Sequence, residues 1–310
     1  MCAADASSEP DSAEAGMSDA DQGQDVADTA TDSAGDGSAS DGDPNSGTLL
    51  CTDRCCVGAS CLDLPPRLQN GLLLWTDRTT LGQIGFPSPI WRDRSPAHND
   101  IVSLAPDSAP VVQSDPVGPI LELHDSRIRL ATPDGPALSL GTDDFTLLML
   151  ARCDPDGTGA TLISKESVIR PRAGVVLYCN HYPPPPAPRE ATHATVWVID
   201  DVRQGTMPDF IVASTNTDLP GQLHLYGARR VDGTRVQLRV DGVTEGELSV
   251  SASLNLSDTD PFEIASTEPV NSFSGGLAAV VIVRGPLTDQ EVGDLESFLI
   301  RSLGKDAPRF

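Results

Sequence analysis

From about residue 68 onward the chain is a succession of short apolar runs separated by Gly, Pro, Asn and Asp, the pattern of a many-stranded antiparallel protein. The runs fall at residues 72–75, 120–123, 145–151, 161–164, 174–178, 195–199, 210–213, 223–226, 234–240, 262–264 and 277–283. Eleven or more strands predict two stacked sheets. Between residues 235 and 240 the alternation is strict: Val236, Leu238 and Val240 share a face expected to be core, and Arg235, Gln237 and Arg239 share a wet one. Asp241 and Gly242 then supply the two positive-φ residues of a type I′ turn, with the partner strand starting at Val243. Residues 147–150 and 280–283 are apolar throughout, which predicts central strands covered on both faces. Their short length, and the β-branched residues of the second run, disfavour buried helices.

One helix is expected near the C-terminus. Thr288 and Glu291 form a capping box, in which hydroxyl and carboxylate each satisfy a backbone N–H left over at a helix start. Val292, Leu295 and Leu299 follow on one stripe, and Gly304 suits the left-handed residue that ends a helix. This helix is expected to pack on the sandwich edge. Residues 182–188, a tyrosine followed by five prolines and an alanine, read as a stiff polyproline surface loop.

Composition changes the picture at the N-terminus. Residues 1–50 hold twelve Asp and Glu and no Lys or Arg, half of the net charge of −24, and their other residues are mostly Ala, Ser, Gly and Thr. Such a segment buries too little apolar area to offset about 1–2 kcal/mol per residue of backbone entropy. It reads as a disordered acidic tether spanning about 40 Å root-mean-square. The expected organisation is tether 1–50, Cys-rich junction 51–67, β-sandwich 68–304 and C-terminal tail 305–310. Acidity with scattered Lys and Arg argues against nucleic-acid binding. No run of eighteen apolar residues offers a membrane-spanning helix.

The cysteines are Cys2, Cys51, Cys55, Cys56, Cys61, Cys153 and Cys179. One is left after pairing, and it is taken as Cys2, since Cys2-Ala-Ala-Asp-Ala-Ser-Ser resembles the mature end of bacterial lipoproteins, where an acylated Cys precedes a polar linker. No apolar signal segment precedes it. The other six suit disulfides formed in an oxidising compartment, and the spacing of the first four lacks the separated Cys-x-x-Cys pairs of a zinc site. Cys153 and Cys179 end apolar runs and could staple two neighbouring strands; connectivity is left open, with a local cluster plus this distant pair as the simplest scheme.

The chain resembles the bacterial LamG-like jelly-roll domains related to concanavalin A, pentraxins and laminin G. The resemblance covers about residues 68–304. Its carriers are Gly71-Leu-Leu-Leu-Trp75, then Trp91-Arg-Asp-Arg-Ser-Pro-Ala-His-Asn-Asp100, similar to the family's Trp-x-Asp-x-Ser-Gly-x-x-Asn with Pro96 in place of Gly. Ile120-Leu-Glu-Leu123, Asp144-Phe-Thr-Leu, Leu162-Ile-Ser-Lys165, Val236-Gln-Leu-Arg-Val-Asp-Gly242 and the closing block from Phe273 to Glu291 continue in the family's order. The resemblance implies an all-β, two-sheet antiparallel jelly-roll sandwich with one C-terminal helix. One departure bears on chemistry: Ala279 stands where many relatives have an acidic residue.

Some relatives are glycoside hydrolases, with carboxylates on alternate positions of one strand. No Glu-x-Asp-x-x-Glu occurs here, Glu122 and Glu263 read as isolated acids on solvated faces, and His124, His193 and His224 show no catalytic spacing. The resemblance makes calcium a plausible cofactor, with Asp93, Asn99 and Asp100 close in one loop and further oxygens needed from another. The competing expectation is that Asp93 and Ser95 bond the loop backbone as an Asx-type turn. Sugar binding would need exposed rings; Tyr178, Tyr182 and Trp197 are the candidates, while Trp75 and Trp91 are expected in the core.

The leading reading is a noncatalytic, surface-displayed binding module for carbohydrate or a cell-surface ligand. The alternatives are an adhesion protein with protein partners only and, third, a glycoside hydrolase-like enzyme lacking the usual motif. The expected location is exported, on a bacterial cell surface or as an outer-membrane lipoprotein, otherwise periplasmic or secreted, with membrane contact only through a lipid on Cys2.

Overall fold

The computed structural model describes residues 54–57, 60–63, 71–81, 90–103, 110–116, 118–126, 128–130, 139–155, 160–166, 173–181, 193–200, 210–214, 221–257, 262–267 and 271–301. Cys2, Cys51, Tyr182, Gly304, the proline loop and the segment 1–50 lie outside these residues. In chain order the elements are β1 (Arg54–Val57), β2 (Ser60–Asp63), β3 (Leu72–Asp77), α1 (Arg78–Leu81), β4 (Ile90–Trp91), β5 (Ile101–Ser103), β6 (Val111–Asp115), β7 (Gly118–Ser126) and β8 (Ile128–Leu130). They continue as β9 (Phe145–Cys153), β10 (Ala160–Glu166), β11 (Ala173–His181), β12 (His193–Asp200), β13 (Phe210–Ala213), β14 (Leu223–Val231), β15 (Arg235–Val240) and β16 (Val243–Ser249). Last come β17 (Glu263–Ile264), β18 (Ser266–Thr267), β19 (Asn271–Arg284) and α2 (Asp289–Arg301).

The runs that are apolar at every position lie at the centre. β9 and β19 pair with each other, and their side chains divide between two cores. Leu147, Met149, Val280 and Ile282 face the space between the sheets, whereas Leu148, Leu150, Val281 and Val283 face outward. The nine-stranded sheet built on them runs β16-β15-β14-β9-β19-β7-β6, with β3 and β18 also paired to β19. The second sheet has eight strands in the order β13-β12-β11-β10-β17-β8-β5-β4, and all pairings are antiparallel. The fold is thus an all-β two-sheet sandwich with one C-terminal helix of full length, as the sequence predicts.

Helix α2 covers the outward core. Its Val292, Leu295, Phe298 and Leu299 pack with Leu72, Trp75, Ile120, Leu148, Leu150, Val281 and Val283, and the Trp75 and Phe298 rings meet edge to face at 5.6 Å. The helix therefore lies over the outer face of the nine-stranded sheet, not on the sandwich edge as its stripe suggested. The reason is β9 and β19, whose outward apolar rows need a cover. Arg229 and Arg239 of that face seat it: Arg229 donates to the Leu287 carbonyl and to Asp289, and Arg239 grips Glu296 with two hydrogen bonds at 2.7 and 2.8 Å. The capping box forms, with the Glu291 N–H donating to the Thr288 hydroxyl and the Thr288 N–H to the Glu291 carboxylate.

The hairpin of β15 and β16 turns at Asp241 and Gly242 with φ of 52° and 83°, and Val236, Leu238 and Val240 enter the inter-sheet core. In β19, Ala278 is an extra residue against β9: Leu277 pairs Ala151 but Ala279 pairs Leu150. This bulge flips the side-chain parity, so Leu277 faces inward, Ala278 and Ala279 both face outward, and Val280 faces inward again. Gly275, at φ 140°, sits where a Cβ would collide with the Arg152 carbonyl. Ala279 is buried opposite Asp77, whose carboxylate accepts from the Trp75 indole and Arg94.

Cys153 and Cys179 form a disulfide with Cα atoms 6.4 Å apart. It joins β9 of one sheet to β11 of the other, both cysteines facing inward, so it ties the sheets across the core and does not staple neighbouring strands. The Cys-rich junction contributes the β1–β2 hairpin, whose backbone sets Cys56 opposite Cys61.

The residues 93–100 do for β3 what a neighbouring strand would do. Asp93 Oδ1 accepts the N–H groups of Trp75 and Ser95, each at 2.8 Å, and Oδ2 accepts the Ser95 hydroxyl and the Asn99 N–H, each at 2.6 Å. The Arg94 N–H donates to the Trp75 carbonyl, the Asn99 side-chain amide to the Leu73 carbonyl, and the Asp93 N–H to Asp100 Oδ1. The open edge of β3 is thereby closed by a loop. Trp91 enters the inter-sheet core and Trp75 the outward one, both fully buried as expected.

Two outcomes follow for stability in urea. Asp93→Asn leaves an amide N–H₂ facing donors and is expected to lower the unfolding free energy by about 3 kcal/mol; a loss under about 1 kcal/mol would contradict the lock. Replacing Cys153 and Cys179 together by Ala is expected to cost about 3.5 kcal/mol, the chain-entropy value for a loop of this length, and an unchanged midpoint would overturn that role.

Candidate ligand-binding face

The face of the eight-stranded sheet turned away from its partner sheet carries one continuous cross-strand row. Its register runs Trp197, Val176, Ser164, Glu263, Arg129 and Val102, each directly opposite the next on β12, β11, β10, β17, β8 and β5. The intervening positions, Val196, Val198, Val175, Leu177, Ile163, Ile264, Ile128 and Ile101, all enter the inter-sheet core, which fixes the facing of the row. Beside it lies a second row, Thr195, Tyr178 and Thr161. From β12 to β8 is four strand spacings, or about 19 Å.

Two of the three aromatic candidates meet here. Trp197 and Tyr178 contact edge to face with centroids 5.4 Å apart. Tyr178 is only 3% exposed, whereas Trp197 is half-buried, so Trp197 is the ring with surface to offer and Tyr178 braces it. The local sequence produces the pairing simply: both lie in strands of period 2 whose inward positions are Ala, Val, Leu or Cys. Tyr182 lies outside the described residues.

Toward the other end the row turns polar. Val176 and Ser164 between the two ends are buried, Glu263 and Arg129 are half-buried, and the Nε of Arg129 is buried without a hydrogen-bond partner among the described residues, as is the Thr195 hydroxyl at the Trp197 end. Sequence reasoning set Glu263 aside as an isolated surface acid and passed over Arg129. Nothing local marks them, because β8 and β17 are strands of three and two residues brought together only by the sheet.

The loop acids are arranged differently from a cation cage. Both oxygens of Asp93 already hold two donors each, which fills the four lone-pair directions of a carboxylate, and Asp100 and Asn99 are turned to backbone groups. As they stand, Asp93 and Ser95 make the turn-type contacts of the competing expectation, with the Ser95 N–H and hydroxyl both donating to Asp93. Burial pushes the Asp93 carboxyl above its ordinary range, with the four donors pulling it back. Among the described residues no group of three or more His, Cys, Asp and Glu is placed to hold a metal.

Nor do the two strand acids share a cleft. Glu122 lies with Ile120 on the outer face of the nine-stranded sheet, buried and bonded to Arg152, which also grips Asp115; it is not the solvated acid the sequence suggested. Glu263 is on the outer face of the other sheet. Among the histidines, His124 is exposed and His193 bonds the Ser214 carbonyl. His224 Nδ1 lies 2.6 Å from Asp241, which also accepts the Leu225 N–H, so this pair clamps the β15–β16 turn to β14. Burial and the Asp241 charge push the neighbouring Tyr226 phenol far up.

No family model and no curated protein matches the sequence. Solved structures do match in fold. The binding domain of Paraclostridial Mosquitocidal Protein 1 aligns with a TM-score of 0.52 at 12% identity, covering 74% of this chain and 52% of that one. The binding domain of botulinum neurotoxin serotype D/C gives 0.52 at 9% identity, covering 75% and 53%. Botulinum neurotoxin type C, whose cell entry depends upon interaction with two ganglioside molecules, gives 0.50 at 10% identity, covering 75% and 52%. This chain spans about half the length of these three. At such identities the likeness concerns fold alone: the chain is a concanavalin A-like jelly-roll sandwich of the kind found in these binding domains.

Proposed function

We propose that this chain is a noncatalytic binding module that takes carbohydrate on the outer face of its eight-stranded sheet. The observation that carries this is the half-buried Trp197 ring on the outer face of β12, braced edge to face by the buried Tyr178. A sugar offers C–H groups on one face and hydroxyls around its rim, and a partly exposed indole held rigid from behind supplies an apolar platform for that face. The neurotoxin of similar fold that interacts with gangliosides supports the reading. A disulfide inside the sandwich supports export to an oxidising compartment. Display on a bacterial envelope through an acylated Cys2 and the acidic segment 1–50 completes the proposal.

An adhesion protein with protein partners only has one observation in its favour. β6 ends the nine-stranded sheet, and its Val111 and Val112 are 44% and 37% exposed, a terminal strand on which another chain could pair. The hydrolase reading has none, since Glu122 and Glu263 stand on opposite outer faces. Calcium, proposed from the loop acids, is not required by the carbohydrate reading and would have to displace donors from Asp93.

Two measurements check this. On a glycan array the full chain is expected to bind a defined subset of glycans, and Trp197→Ala, with its fold verified by circular dichroism, to weaken that binding about tenfold or more; absence of any glycan signal would shift the assignment to protein adhesion. Calcium or EDTA is expected to leave the Tm unchanged, whereas saturating a real site would add about 2.7 kcal/mol at a hundredfold excess over Kd and raise the Tm by several degrees.

A further inference from the structure

We infer that β6 is a self-association edge, along which two copies of this chain join antiparallel about a two-fold axis and extend the nine-stranded sheet across both molecules. The inference is independent of the carbohydrate reading, since Trp197 lies on the other sheet.

The backbone of β6 is set for a partner on its open side. Residues 116 and 117 connect it to β7, and Asp115 stands opposite Gly118. A two-residue connection makes that closing pair a hydrogen-bonded one. By alternation Gln113 and Val111 also bond β7, whereas Val112 and Ser114 turn their N–H and C=O groups to the open side. Pro119 agrees with this, since it lies opposite Ser114, where β6 asks no N–H of β7. Among the described residues β6 pairs with β7 alone, and its first four residues are exposed. Val111 and Val112 are two of the three exposed large apolar side chains among the described residues.

The two ends of this sheet are built differently. β16, at the far end, carries Glu245 and Glu247, and Glu245 is an extra residue against β15. Charge and a bulge are the devices that keep an edge from pairing. β6 has neither: its five residues hold an unbroken register with β7, and residues 108–114 contain no charged side chain.

Charge also selects the partner. With a net charge of −24, one copy repels another wherever their carboxylates meet, so a copy can approach only along a neutral stretch such as 108–114. The acids beside it, Asp115 and Glu122, are both held by Arg152, at 2.6 and 2.8 Å, which offsets their charge. The strand is, moreover, its own complement. With Val112 on the axis, its N–H and C=O bond the same groups of the second copy's Val112, and each Ser114 N–H donates to the other copy's Pro110 carbonyl. Every outward N–H then has an acceptor, Pro110 has none to leave unpaired, and the two valine side chains at the axis cover each other. The two Asp115 residues fall about 20 Å apart along the strands.

Sedimentation equilibrium of the full chain tests this. A monomer–dimer equilibrium is expected with a Kd of about 10–100 μM, because so short a ladder buries less than the roughly 1,200 Å² of a standard interface. Raising NaCl from about 0.05 to 0.5 M is expected to tighten it about threefold or more by screening the like charges. Val112→Pro deletes an outward N–H without touching the bonds to β7, and Val112→Glu sets two like charges on the axis. Each is expected to weaken the dimer about tenfold or more and to leave the Tm of the monomer in place. Val112→Cys is expected to give a disulfide-linked dimer on mild oxidation, beyond any formed by the parent chain, because a hydrogen-bonded cross-strand pair sets its Cα atoms about 5.5 Å apart, within disulfide reach. Val243→Cys, at the other edge, is expected to give none. A chain that stays monomeric at about 300 μM, a dimer that survives both Val112→Pro and Val112→Glu, or one that weakens as salt rises overturns the inference and leaves the carbohydrate reading standing.

Discussion

The architecture rests on one constraint: β9 and β19 are apolar on both faces and must be covered twice. Burial of apolar area at about 25 cal/mol per Å² drives the inward rows against the second sheet and the outward rows under α2. Neither cover suffices alone, which is why a sandwich of this size carries a helix at all. Arg229 and Arg239 then fix the helix's position, because their side chains rise from the outward face of β14 and β15 just where α2 begins and passes.

The polar groups that this arrangement strands are recovered locally. Among the described residues β3 pairs with β19 along one edge, and the loop from Asp93 to Asn99 satisfies the other through the Asp93 carboxylate, the Arg94 N–H and the Asn99 side-chain amide. The lock is compact because Asp93 is acceptor-only and can take four donors at once. The same property separates it from a cation site, where those lone pairs would have to point at a metal. The motif around Trp91 is thus best understood through backbone satisfaction: it turns Trp91 inward and closes β3.

The arrangement of side chains on the outer face of the eight-stranded sheet follows from sheet geometry. Residues directly opposite across a ladder share a face, so a ring on β12 and a guanidinium on β8 fall in one cross-strand row although 68 positions separate Trp197 from Arg129 in the chain. Tyr178 shows the limit of counting aromatic residues: its ring is present in the right place but nearly all of it is covered, and it acts by holding Trp197.

Much of the fold was legible in the sequence because its signals are local. Strict alternation in residues 235–240, the Asp241–Gly242 turn, the Thr288–Glu291 cap and the doubly apolar runs of β9 and β19 each depend on backbone periodicity or on contacts within a few residues. The candidate site was legible only in part: Trp197 and Tyr178 stand out by residue type, whereas Glu263 and Arg129 sit in strands too short to show any period. What the tertiary structure alone decided is long-range and geometric. It set α2 over a face and not an edge, carried the Cys153–Cys179 bond between sheets, reversed the facing of β19 at Ala278, and placed Arg129 in line with Trp197. A one-residue bulge or a choice of strand neighbour moves a side chain from one face to the other at little local cost, so no short stretch of sequence records it; only the simultaneous filling of both cores does.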